Sequence, residues 1–128
     1  MRHDPLADMF STLKNMEAIG RKECRVPNSK LIRNILKVIQ ENKYIGDVRV
    51  VHDVSGGQMK VELIGRINNC RVIKPNFSVK KDEFIKFEKR YLPARKVGIL
   101  ILTTSEGIMD QHEAEKKGTG GRLLGYVY

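Results

Sequence analysis

Apolar positions in the first half of the chain recur at helical spacing, interrupted by short alternating runs. Asp4 followed by Pro5 reads as an N-cap and first helical position. Leu6, Met9, Phe10, Leu13 and Met16 then fall three or four residues apart, so an amphipathic helix is expected, ended by Gly20. Glu23–Val26 reads as a short strand stopped by Pro27. Ser29 is placed to cap a second helix, with Leu31, Ile32, Ile35, Leu36 and Ile39 facing inward. Tyr44-Ile45-Gly46 turns out of that helix. Val48–Val51 and Met59–Ile64 read as strands, joined by a loop that contains Ser55, Gly56 and Gly57. The order α-β-α-β-β implies helices packed on one small sheet.

The pattern changes near Gly65. Ile67–Ile73 reads as a strand that Lys74-Pro75-Asn76 ends. Phe84, Phe87 and Tyr91 repeat at helix-like spacing until Leu92-Pro93 breaks it. Ile99, Leu100, Ile101 and Leu102 run without a polar break, the mark of a strand buried on both faces. Asp110 with Glu113 forms a variant of the capping box, opening a short helix that Gly118 closes. Thr119–Gly121 is a turn, and Leu123–Tyr128 is a final strand. The expected fold is α+β in two lobes. Residues 1–64 form an α/β lobe, and residues 65–128 form a mainly antiparallel β lobe with one short helix.

Charge narrows the partner. The chain has 24 Lys+Arg against 15 Asp+Glu, a formal net charge of +9. A small basic domain points to a polyanion, nucleic acid or an anionic membrane. No stretch approaches the roughly 18 apolar residues of a membrane span. The opening MRHDPLADMF lacks the apolar core of a signal peptide. A cytosolic protein with a nucleic-acid partner is therefore expected, and no membrane partner. Lys30 adds a local sign of the same kind. It sits in the first turn of a helix, the end whose dipole disfavours a cation. Cys24 and Cys70 match neither a disulfide framework nor a zinc spacing, so they read as small buried residues.

Candidate chemistry concentrates after the buried run. Thr103, Thr104 and Ser105 follow Leu102 at once, and Gly107 closes the turn. As a loop anchored on a stiff strand, they would hold exposed hydroxyls in fixed positions. Each hydroxyl is one donor and two acceptors, suited to the 2′-hydroxyls and base edges of an RNA minor groove. A polar turn closing a strand is the alternative. Arg90, Tyr91, Tyr126 and Tyr128 lie in the same lobe, the tyrosines able to stack on bases or reach phosphates. There is no phosphate-binding loop, dinucleotide fingerprint, metal-ligand spacing or cofactor motif. Ser105, Asp110 and His112 supply the residue types of a hydrolytic triad, but Ser105 lacks a nucleophile-elbow sequence and Asp110 is better used as a cap. No enzyme is expected.

The same segments carry a family resemblance. Asp4-Pro5-Leu6-Ala7-Asp8-Met9, Pro27-Asn28-Ser29-Lys30, Tyr44-Ile45-Gly46, Leu92-Pro93-Ala94-Arg95, the run from Thr103 through Gly107 to Met109, and the ending from Gly120 to Tyr126 stand in the order and spacing of one family. The chain resembles the small-subunit ribosomal protein eight family in its archaeal and eukaryotic branch. The resemblance implies a two-lobed protein that binds the central domain of 16S-type rRNA and helps organise the platform of the small subunit. Cytoplasmic location and neighbouring ribosomal proteins as partners follow from it. Bacterial members also repress translation of their own operon, so a free repressor acting on its own mRNA is the second reading. By resemblance, Thr103, Thr104 and Ser105 carry the RNA contact, with Gly107 in the same motif. Tyr126 falls at another contact position, and Asn15 and Lys30 fall in segments that touch the RNA backbone. Thr103 stands where bacterial members have Ser. The Asp53–Gln58 loop lacks the basic residue frequent there and receives no RNA role.

Overall fold

The structure is a computed structural model that describes residues 4–51, 57–94 and 96–128. His3, His52, Arg95 and the expected loop through Ser55 and Gly56 lie outside the described residues. The chain divides into two compact units, Met1–Cys70 and Arg71–Tyr128.

In the first unit, helix α1 (Pro5–Ala18) starts where Asp4 Oδ1 accepts the Ala7 N–H at 3.1 Å. It buries Met9, Phe10 and Leu13. Strand β1 (Glu23–Pro27) follows, then helix α2 (Lys30–Glu41), capped by Ser29 Oγ accepting the Ile32 N–H at 3.2 Å. α2 buries Ile32, Ile35, Leu36, Val38 and Ile39. Leu31, expected inward, is 42% exposed. Helical side chains lean toward the N-terminus, so a first-turn residue covers the cap rather than the sheet. Strands β2 (Ile45–Val51) and β3 (Gln58–Leu63) complete an antiparallel sheet in the order β1-β3-β2. The turn expected at Tyr44–Gly46 lies earlier. Lys43 takes the positive φ of 65°, and Ile45 already pairs with Leu63 before a bulge that ends at Val48.

Residues 65–70 fall within the first unit and are bonded to its first helix. Gly65 and Ile67 donate their N–H groups to the Glu17 carboxylate at 3.1 and 3.2 Å. The Cys70 thiol donates to the Phe10 carbonyl at 3.3 Å. These bonds tie residues 65–70 to α1 and remove the first half of the strand expected over 67–73.

That strand shrinks to β4 (Cys70–Val72) in the sheet of the second unit. A short β5 (Ser78–Val79), absent from the expectations, pairs with β8 (Gly121–Val127). Helix α3 (Phe84–Tyr91) forms where Phe84, Phe87 and Tyr91 show helix-like spacing, and the short helix opened at Asp110 is α4 (Gln111–Lys117), so the described residues of this unit hold two helices. Strand β6 (Ile99–Thr104) is central, in the order β4-β8-β6-β7, with β7 spanning Gly107–Asp110. Ile99, Leu100, Ile101 and Leu102 are all buried, on both faces of β6 as the uninterrupted run implies. Leu100 and Leu102 join Phe84, Phe87, Met109, Ala114 and Leu123 in one core. The buried Gln111 side chain accepts the Leu100 N–H at 2.8 Å, so α4 is fastened to the middle of β6.

Candidate nucleic-acid interface

The three hydroxyl residues do not form a loop. β6 continues through Thr104, Ser105-Glu106 make a tight turn, and β7 returns with Thr104 opposite Gly107. The reason is local: threonine is β-branched and extends a strand readily. Neither turn residue takes a positive φ. That demand falls on Gly107, at 116°.

The hydroxyls therefore divide by role. Thr104, expected exposed, is half-buried. Its hydroxyl donates to the Gly107 carbonyl at 2.9 Å and accepts the Glu106 N–H at 3.1 Å. It locks the turn and keeps one acceptor site. Thr103 is half-buried and pairs with Arg122 on β8. Ser105 is exposed at the tip, its hydroxyl in no hydrogen bond among the described residues. Gly121 brings β8 close from the side. A Cβ there would run into the Thr103 carbonyl and stand 3.0 Å from the Thr104 methyl.

A second group of candidates meets on the same unit. Tyr91 at the end of α3 stacks on Tyr126 of β8 with ring centroids 5.6 Å apart, and Tyr126 stacks on Tyr128 at 6.0 Å. The exposed Arg90 guanidinium lies 4.9 Å from the Phe77 ring centre and 5.4 Å from that of Tyr91. Cation and rings thus order one another, leaving a cation with fixed direction at the surface. Phe77 is the member that sequence reasoning missed. It lies between β4 and β5, where no period marks it.

Asn15 and Lys30 are exposed on the first unit, Asn15 on α1 and Lys30 at the start of α2. No bond joins them. Asp110 Oδ1 caps α4 by accepting the Glu113 N–H at 2.9 Å, so it serves the helix rather than Ser105. Both cysteines are buried, and burial pushes the Cys24 thiol up to about 11 and the Cys70 thiol up to about 12. Thiols held neutral in this way are packing groups.

What the arrangement offers is a stiff strand ending in a hydroxyl tip, and beside it in sequence a ladder of arginine and tyrosines. Comparison with known proteins agrees with the sequence motifs. The family model described as Ribosomal protein S8 matches residues 4–128. The small ribosomal subunit protein uS8 of Methanococcoides burtonii is 52% identical over 126 residues, covering 98% of this chain and 97% of that protein. The protein of the same name from Picrophilus torridus is 50% identical over 129 residues, covering 100% of both. With a family model and full-length relatives in agreement, the chain belongs to the ribosomal protein S8 family.

Proposed function

We propose that this protein is a structural component of the small ribosomal subunit, in the cytoplasm, that binds the central domain of the subunit's rRNA directly and helps assemble the platform. The observation that carries the reading is the hairpin. β6 is buried on both faces and paired on both edges, so it fixes the position of the Ser105 hydroxyl at its tip. A fixed donor–acceptor group reads a surface of 2′-hydroxyls by position rather than by charge. Thr103, Thr104 and Gly107 shape that tip, Arg90, Tyr91 and Tyr126 offer stacking and a directed cation, and Asn15 and Lys30 contact the backbone. The net charge of +9 supplies affinity of the sequence-independent kind. The Arg71–Tyr128 unit carries specificity in this scheme, and neighbouring ribosomal proteins are further partners. No catalytic step is assigned to it.

Hydroxyl-radical footprinting of purified protein on small-subunit rRNA tests this. Protection confined to the central domain is expected. Protection elsewhere, or none, overturns the assignment. Sedimentation of a cell lysate separates the structural role from that of a free repressor: the protein travels with small subunits in the first case and stays in the light fractions in the second.

A further inference from the structure

The outer face of α2 is built against the rules that stabilise a helix. Lys30, Arg33 and Lys37 are all exposed there. At 3.6 residues per turn they fall within about 60° of the helix circumference, opposite the arc of Ile32, Ile35, Leu36 and Ile39. Lys30 opposes the dipole at its unfavourable end, and the first turn contains no acid. Arg33 and Lys37 are four residues apart, a like-charge pair that destabilises a helix. Asn34 and Gln40 between and beyond them are neutral. Glu41, the one acid in the helix sequence, stands C-terminal to Lys37, the poorer order for a pair, and no ion pair joins them among the described residues. Arg33 donates to the neutral Asn28 Oδ1 at 3.4 Å, a weak contact that neutralises nothing.

We propose that this face is a phosphate-binding stripe, with Lys30, Arg33 and Lys37 lying along the backbone of one RNA strand. The inference rests on the RNA-binding reading above, which already places Lys30 on the backbone, and extends that contact along the outer face of α2 to Arg33 and Lys37. Seven residues of helix between Lys30 and Lys37 span about 10 Å. Cations spaced over that length on one face of a helix, on long flexible stems, can reach neighbouring phosphates of a single strand. Bound phosphate relieves the like-charge repulsion and the clash with the dipole together. Contacts of this kind position the RNA and read no sequence.

The test uses the full chain and a central-domain fragment of small-subunit rRNA. The double variant Arg33→Gln with Lys37→Gln is titrated at several salt concentrations beside wild type and Ser105→Ala. Affinity at moderate salt should fall about tenfold, and the slope of log affinity against log salt should become shallower by about one per lost cation. A non-cognate duplex should lose affinity by the same factor. The melting temperature of the free protein should hold or rise, because the substitutions remove a repulsion. Wild-type affinity and slope in the double variant, with Ser105→Ala weakened, would overturn the stripe and leave the RNA reading standing. No binding by wild type would overturn both. A loss of affinity that tracks a drop in melting temperature would make the cations structural and overturn the stripe. Unchanged RNA binding with failure to join reconstituted subunits would mean an acidic protein face, and would overturn it as well.

Discussion

Two neighbouring hydroxyls, Thr104 and Ser105, stand in different surroundings although the sequence presents them as equals. Thr104 spends its donor and one acceptor on the hairpin turn. Thr104→Val keeps the shape and removes both bonds, at about 0.5–1.5 kcal/mol each. Thermal unfolding should therefore show a loss of about 1–3 kcal/mol on the same basis, and RNA binding should weaken because the tip is no longer fixed. Ser105→Ala should leave the melting temperature unchanged. It should weaken cognate RNA about two- to tenfold, the equivalent of one lost hydrogen bond at about 1.4 kcal/mol per decade, and spare a non-cognate duplex. Equal loss on both RNAs would show that the Ser105 hydroxyl reads nothing. The cysteines offer a separate check. With the Cys24 thiol pushed up to about 11 and the Cys70 thiol up to about 12, iodoacetamide at pH 8 should leave the native chain unmodified and alkylate it rapidly in urea.

Elements are held in register by small residues at close approaches. Gly121 is the clearest case, since a Cβ there meets the Thr103 carbonyl, a backbone atom that cannot swing away. Gly121→Ala should push β8 from β6 and cost about 1–3 kcal/mol, the range of an overpacked site. Circular dichroism of the stacked tyrosines, together with the melting curve, would record it. Ser29→Ala acts at the other kind of boundary and should cost about 1 kcal/mol by freeing the Ile32 N–H. Both helices of the first unit and the buried run of β6 were legible in the sequence, because periodicity and caps are local signals. The Asp4, Ser29 and Asp110 caps all form. Two strands of the second unit, β5 and β7, were not legible. β5 is two residues long, too short for any period, and β7 begins at a glycine that reads as a turn. The hydroxyl segment was found, but its division into a locking and an exposed residue depends on pairing across the hairpin, which no local pattern encodes. The Arg90–Phe77 contact was hidden for the same reason.

For the molecule as a whole, charge sets how binding responds to solution conditions. Each neutralised phosphate contributes a log–log salt slope of roughly −0.7 to −0.9. With about five contacts, a fourfold rise in salt should lower rRNA affinity about a hundredfold, and a nearly flat titration would rule out a phosphate-dominated interface. Strand β6 has one more consequence at this scale. Ile99–Thr104 is six residues of aliphatic and β-branched side chains without charge, glycine or proline, the composition of segments that zip into fibrils when exposed. β7 and β8 occupy its two edges in the folded unit, and Lys96 and Glu106 flank it with charge. Detachment of β8 alone frees one whole edge. The strand whose stiffness serves the hairpin is thus also the segment from which the chain would nucleate amyloid, so a lesion in β8 should reveal itself as insoluble protein before it reveals itself as weak RNA binding.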